Sequence, residues 1–414
     1  MMPHVKSAEE LSAPRRWVIF AAVMLPYVFY AFCWNTENFL RPYIAEALGL
    51  SKTEVASFYT LQALGALIGA IILSQIADRF SRRNTFALTA IGFGLAALGV
   101  VFVDGLVTAL VQRFIMGFFM GGVFGCAVSL YVGLFPPHLR GLLAGFVQLV
   151  YNGGDALLSW FGRHYDSSNW QVVLEIGGIG ALCAAVGVFL VVPNDRSMAP
   201  WGSSAMRSRP VGASAFVVRD LFIEGRWRLT IRLALMCGLN FFAFQAFSGW
   251  ATTYLRELQG YSPDLIGRLM TVMHVGSMSG ALIWGMIADR MGRRASAAGF
   301  MVAAVFIVFY LNVSANAFLY GLTGFAYGFG YVCSGVWGPY FAELYPEHLR
   351  ATAASIFNWG RIVSLFGALV AGAIAEAFGL QTVMYVGAAT FAAAGALWWS
   401  LPETLPSRLA MSRG

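Results

Sequence analysis

Charge is scarce in this chain. Only 11% of its 414 residues are Asp, Glu, Lys or Arg, against about 25% in soluble domains, and 58% are hydrophobic, against roughly 45–50%. So few charges cannot cover a water-facing surface, which excludes a soluble enzyme. Cysteine is scarce too. The five thiols, Cys33, Cys126, Cys183, Cys237 and Cys333, all fall inside apolar runs. There they pack as small apolar side chains, so neither a disulfide framework nor a metal site is expected. No G-x-x-x-x-G-K-S/T loop occurs, which argues against ATP drive. No cofactor is implied, and no catalytic constellation stands at a recognisable spacing. No amino-terminal segment reads as a cleavable signal: Met1 to Pro14 is polar, and the apolar run after it is too long for a signal-peptide core.

What the chain has is apolar length. A membrane span needs about 20 apolar residues. The candidates are Arg16–Ala47, Thr53–Phe80, Thr85–Val103, Leu106–Phe135, Gly141–Gly162 and Trp170–Val192, then Trp227–Leu255, Pro263–Met291, Ala295–Val313, Ala317–Tyr345, Ala351–Phe378 and Thr382–Leu401. The expected fold is an all-α membrane protein of twelve transmembrane helices in two six-helix bundles. Residues 1–192 make the first bundle, 193–226 a cytoplasmic linker and 227–414 the second. The linker is marked by Pro193, Pro200 and Pro210, several Ser and a run of Arg, and Phe216–Ile223 suits a short surface helix. With both termini on one side, twenty Lys and Arg fall on that side and five on the other. The positive-inside rule then makes the termini cytoplasmic. These charges are scattered over short turns, so no clustered basic face exists for nucleic acid.

One stretch occurs twice. Ile76-Ala77-Asp78-Arg79-Phe80-Ser81-Arg82-Arg83 returns as Ile287-Ala288-Asp289-Arg290-Met291-Gly292-Arg293-Arg294, an offset of 211 (289 minus 78). Pro136-Pro137-His138-Leu139-Arg140 matches Pro346-Glu347-His348-Leu349-Arg350 at 210. Each copy of the first motif is a tight polar turn between two apolar runs. The pattern resembles the signature loop of the major facilitator superfamily, roughly G-x-x-x-D-R-x-G-R-R. The second copy fits with Gly285, Asp289, Arg290, Gly292, Arg293 and Arg294, while the first has Ser74 and Ser81 at the two glycine positions. The helix-4 run Arg113-Phe114-Ile115-Met116-Gly117 also resembles a superfamily motif, one tied to proton coupling. Glu343-Leu344-Tyr345-Pro346 and Pro402-Glu403-Thr404 resemble the sugar, organic-ion and metabolite–proton symporter branch, although Pro193-Asn194-Asp195 departs from it after helix 6. The resemblance implies two parallel halves that rock about a midplane site. It also implies that Asp78, Arg82, Arg83, Asp289, Arg293 and Arg294 gate the cycle.

Ionisable groups inside spans are functional candidates by default. Arg113 lies about 9 Å from the outer end of its helix and Asp155 about 21 Å from the cytoplasmic end of its own, at 1.5 Å per residue. Glu37 sits in the outer part of helix 1, with Arg41 four residues on as a local partner. Asp155, Glu37 and Arg113 are the proton-coupling candidates and are expected to form one charge cluster. Arg361, about 14 Å into helix 11, is the candidate receptor for a substrate carboxylate, with Glu376 as its competing partner. Asn358, Tyr151, Asn152, Gln245, Trp250, His274, Trp337 and Tyr340 are candidates to line the cavity. The expected function is proton-coupled uptake of a small organic anion by a monomer in the inner membrane, with lipid around it. An exporter of the same fold and a membrane nutrient sensor are the alternatives. Arg361 argues against a cation exporter, and the short stretch after the last span argues against a sensor.

Overall fold

A computed structural model describes residues 6–136, 139–194, 198–199, 221–223, 225–313, 316–346, 353 and 356–405. The protein is all-helical, because in lipid only a helix satisfies its own backbone within one segment. The chain divides into two compact units. The first holds Met1–Leu50 with Ser57–Pro210, and the second holds Ser51–Ala56 with Val211–Gly414.

The first unit carries α1 (Ala13–Phe39), α2 (Lys52–Arg79), α3 (Arg82–Phe102), α4 (Leu106–Val132), α5 (Arg140–Gly162) and α6 (Gln171–Val191). In it α1 packs against α5 and α6, and α3 against α4 and α6. The second unit carries α7 (Trp227–Glu257), α8 (Pro263–Met291), α9 (Arg293–Asn312), α10 (Ala317–Tyr331, continued by Val332–Val336 and Trp337–Glu343), α11 (Ile356–Phe378) and α12 (Leu380–Trp399). Its packing repeats the pattern: α7 on α11 and α12, and α9 on α10 and α12.

Glycines set the closest approach within each unit. A methyl on Gly65 or Gly69 of α2 would collide with the backbone of Phe114 or Phe118 on α4. A methyl on Gly276 or Gly280 of α8 would collide with Phe325 or Phe329 on α10. All four pairs are offset by 211 (276 minus 65, 325 minus 114). Small residues four positions apart let two backbones touch, which is the main attraction open to helices in lipid. The fourth helix of each half is also interrupted at matched places, Gly122 and Val332.

Three expectations need correction or lie out of view. The first span is not continuous to Ala47: α1 stops at Phe39, and a separate short helix, Arg41–Leu48, starts with Pro42 in its first turn. Proline has no N–H for the helix before it and suits a helix start. Extended pairing, two residues on each side, joins Lys6–Ser7 to Met198–Ala199 in parallel, and the sequence reading did not foresee it. Most of Phe216–Ile223, with His138, His348 and Arg350, lies outside the described residues.

Candidate functional site

One turn of α1 organises the first unit. Asn35 (6% exposed), Thr36 (0%), Glu37 (1%) and Asn38 (7%) are all buried. Successive residues of a helix point about 100° apart, so each reaches a different neighbour. Asn35 Nδ2 donates to Asp155 Oδ1 on α5 at 2.6 Å and to Tyr151 Oη at 3.2 Å. Thr36 Oγ1 accepts from Arg113 of α4 at 2.8 Å. Glu37 Oε2 pairs with Arg41 at 2.8 Å, and the same guanidinium nitrogen donates to Asn38 at 3.0 Å. Arg113 also donates to Gln62 Oε1 of α2 at 3.3 Å, and Gln62 is held in turn by Trp34 O.

The three proton-coupling candidates therefore meet on one turn of α1 through different hydrogen-bond partners, with Glu37 and Arg113 near enough to act on each other as charges. Asp155 takes a neutral amide, Arg113 a hydroxyl and an amide oxygen, and Glu37 its own arginine. The physical reason is the helix's angular step, which separates neighbours that the sequence shows side by side. Asn35, Thr36 and Gln62 were missed as partners because neutral side chains carry no charge signal. The one available clue was four polar residues in a row, Asn35 to Asn38, inside an apolar run. Rings surround the Asn35 side of the turn: Tyr27 stacks on Tyr30 at 5.3 Å, and both lie about 6 Å from Tyr151. Tyr151 is half-buried, whereas Asn152 folds onto its own helix, donating to Gln148 O at 2.8 Å.

In the second unit the candidates divide. Gln245 (1% exposed) and Asn240 (6%) lie buried on α7. Gln245 Oε1 and Asn240 Oδ1 accept no hydrogen bond among the described residues. Buried polar atoms are nearly always satisfied, so such oxygens favour a bound molecule or water nearby. Ser248, three residues from Gln245, shares a 2.7 Å hydrogen bond with Tyr327 of α10. Trp250 is fully buried on α7, and His274 is half-buried on α8. Trp337 instead stacks among Phe300, Phe341 and Trp398, and Tyr340 donates to Pro402 O at 2.7 Å beyond α12. Both rings meet Trp398. Arg361 and Asn358 lie on α11, where Gly360 packs on Cys237 and Phe241 of α7; their side chains lie outside the described residues. Glu376 accepts from the N–H of Thr53 at 3.0 Å and from its hydroxyl, at the start of α2.

The second signature turn forms a latch. Arg293 pairs with Asp289 at 2.5 Å and grips Glu343 by two nitrogens, at 2.9 and 3.2 Å. Glu403 accepts the backbone N–H groups of Arg293 (2.9 Å), Arg294 (3.1 Å), Thr404 (2.8 Å) and Leu405 (3.0 Å). Burial pushes the Glu403 carboxyl up, but these N–H groups outweigh it and hold the group below the usual carboxylate range. Gly292 has φ +106°, open to few residues but glycine, and a methyl there would strike the Glu403 carboxylate. The first turn differs: Ser81 has φ −171°, needs no glycine, and caps α3 by accepting from Asn84 N at 3.3 Å. Where the second unit has Glu343 and Glu403, the first has Gly133 and Asn194 (343 minus 133 is 210; 403 minus 194 is 209). Arg83 there donates to Val192 O at 3.4 Å, and Asp78's side chain lies outside the described residues.

The Major Facilitator Superfamily profile matches residues 23–364. The chain belongs to that family. This superfamily member is an integral membrane transporter and not an enzyme. It is similar to two proteins of Acinetobacter baylyi. One is a niacin transporter, 24% identical over 381 residues, covering 84% of each chain. The other is a cis,cis-muconate transport protein, 26% identical over 364 residues, covering 84% of this chain and 85% of that one. Among solved structures it resembles a D-xylose–proton symporter, with a TM-score of 0.74 at 16% identity, covering 94% of this chain and 98% of that one. The last likeness concerns the fold alone.

Proposed function

We propose that this transporter takes up a small organic anion together with protons, by alternating access, across the inner membrane with both termini in the cytoplasm. The observation that carries the reading is the α1 turn, where a buried carboxylate, Asp155, and a buried guanidinium, Arg113, are held by neighbouring residues. With the neutral amide of Asn35 as its donor, Asp155 can change protonation without breaking an ion pair at that contact. Glu37 cannot do so, because Arg41 grips it at 2.8 Å. Asp155 is therefore the proton carrier and Glu37 a structural member. The relatives transport niacin and cis,cis-muconate, both acids, which supports an organic anion as the substrate. Arg361, in the first turns of α11, supplies a second permanent charge, with Asn358, Gln245, Trp250 and His274 around the substrate path. The cytoplasmic turns Asp78–Arg83 and Asp289–Arg294 steady one state of the cycle.

The test is uptake into proteoliposomes from a panel of organic acids and sugars under an imposed pH gradient. Accumulation of an acid that collapses with the gradient is expected. Accumulation of sugars alone, or uptake indifferent to the gradient, would refute the reading.

A further inference from the structure

The outer side of α12 is made of small residues. Ala389, Ala393 and Ala396 are exposed there, between two helices that pack directly on α12. On one flank α7 exposes Ile231 and Leu235, and on the other α9 exposes Met301 and Val305. A methyl added to Gly395 would meet the tip of Met301, so the α9 ridge leans onto α12. Alanine ends at its first side-chain carbon, whereas Ile, Leu and Met reach well beyond it. The alanines of α12 are therefore the floor of an apolar groove, with α7 and α9 as its walls.

The groove ends in arginine. Toward the signature turn stand Trp399, exposed on α12, Arg232 on α7 and Arg294 in the first turn of α9. Arg232 caps α12, donating from one terminal nitrogen to Ser400 O at 2.9 Å and to Ser400 Oγ at 2.5 Å. Its other nitrogens donate to no described residue. The Arg294 guanidinium stands over the Trp399 ring, 5.3 Å from its centre, and its Nε is buried with no acceptor among the described residues. A buried N–H left alone is costly, so an oxygen from outside the chain suits it. Both guanidiniums act as charges on the hydroxyl of Tyr340, which gathers them about one point. The acids at this end are engaged elsewhere: Arg293 takes Asp289 and Glu343, and Glu403 faces backbone N–H groups. Among the described residues here, Arg226, Arg228, Arg232, Arg290, Arg293 and Arg294 outnumber Asp289, Glu343 and Glu403 by six to three. The surplus calls for an anion.

The first unit has no such place. At an offset of 210 (396 minus 186), Val186, Phe189 and Leu190 stand for Ala396, Trp399 and Ser400, and all three are bulky and exposed. Ala21 and Ala22 stand for Arg232 (232 minus 21 is 211; 232 minus 22 is 210). Arg83 matches Arg294 and lies over Phe189 at 5.7 Å. The groove is thus not a by-product of the repeat. We infer that the groove between α7, α12 and α9 holds an anionic phospholipid, its phosphodiester between Arg232 and Arg294, its glycerol against Trp399 and an acyl chain along the alanine floor. Guanidinium forks match phosphate oxygens, and a tryptophan ring suits the level of the headgroups. A choline lipid brings its own positive charge to the surplus and is disfavoured. Phosphatidylglycerol and cardiolipin both carry the required chemistry. The site is independent of the transported substrate and of which leaflet meets this end.

The experiment uses the full chain, delipidated in detergent and mixed with equal amounts of dioleoyl phosphatidylglycerol and dioleoyl phosphatidylcholine. Native mass spectrometry reads which lipid is retained. Phosphatidylglycerol should be retained in preference, and it should raise the melting temperature. Equal retention of the two lipids would overturn the inference. Glycerol 3-phosphate, the same phosphate without chains, should leave the melting temperature unchanged. A matching rise would make this a site for free phosphate and overturn the lipid. Arg232→Gln and Arg294→Gln should each cut the preference about fivefold, the contribution of an arginine near a charged surface. Arg83→Gln, in the first unit, should leave it intact. Wild-type preference in a folded double variant at 232 and 294 would overturn the headgroup site. Ala396→Phe touches neither arginine, points outward and so folds, and fills the floor. It should lose retention of phosphatidylglycerol, and wild-type retention there would overturn the groove.

Discussion

Removing the Glu403 carboxylate should loosen the end of the second unit that carries its signature turn by a predictable amount. Four backbone N–H groups point at it, but two of them, from Thr404 and Leu405, are local and can turn to water. The other two, from Arg293 and Arg294, tie the segment after α12 to the α8–α9 turn. A hydrogen bond to a charged group contributes about 1.5–3 kcal/mol when well buried. The site is only partly buried, and solvent takes up part of the loss. Halving the sum of two such bonds gives about 1.5–3 kcal/mol for Glu403→Ala. Glu403→Gln keeps one acceptor oxygen and should lose about half of that. The assay is thermal unfolding of purified protein, paired with substrate counterflow in proteoliposomes. Ala should melt below Gln, and Gln below wild type. An Ala variant that melts like wild type would show that the latch holds nothing. Equal melting of Gln and Ala would show that charge, and not hydrogen-bond count, sets its strength.

The same carboxylate sets a pH limit. Its pKa is held below the ordinary value of 4.5, so its contribution is complete above that pH and is lost as pH falls through the lowered value; wild type should lose melting temperature below about pH 4.5 more steeply than Glu403→Gln. Gly69→Ala and Gly280→Ala should each cost about 1–3 kcal/mol through forced separation of packed backbones, read as lower yield and melting temperature, whereas Gly187→Ala, with open space around it, should be silent. Asn35→Leu removes the donor to Asp155 and should abolish gradient-driven uptake in folded protein; intact accumulation would show that Asp155 needs no positioning by α1.

The fold was legible because a span announces itself by length: apolar runs of about 20 residues survive any error at their ends. The ends were less so. Nothing in hydropathy marks Leu40 as the stop of α1, and only Pro42 hints at a new helix there. The signature turns were read from spacing, but the reason Ser81 can stand where Gly292 must be glycine is a backbone angle, visible only in the fold. For the candidate site, an ionisable residue inside an apolar run is conspicuous, so Glu37, Arg113 and Asp155 stand out in the sequence as candidates. Their partners were not, because the choice among neighbours depends on helix rotation and on neutral groups such as Thr36 and Gln62. Trp337 and Tyr340 show what the sequence leaves open: it places an aromatic on α10 but not the side it faces, and both meet Trp398.

The latch also imposes an order on the making of the protein. Glu403 is translated 110 residues after Arg293, whose backbone it receives. At about 5–20 residues per second, the α8–α9 hairpin waits roughly 5–20 seconds with its arginines and free N–H groups uncapped. During that interval α9, α10, α11 and α12 must all enter the membrane before the acceptor arrives. The second unit is thus closed by the last segment described, Pro402–Leu405, which works as a final stitch. A fusion partner joined before that stitch should trap a half-sewn bundle, and one joined beyond it should be tolerated.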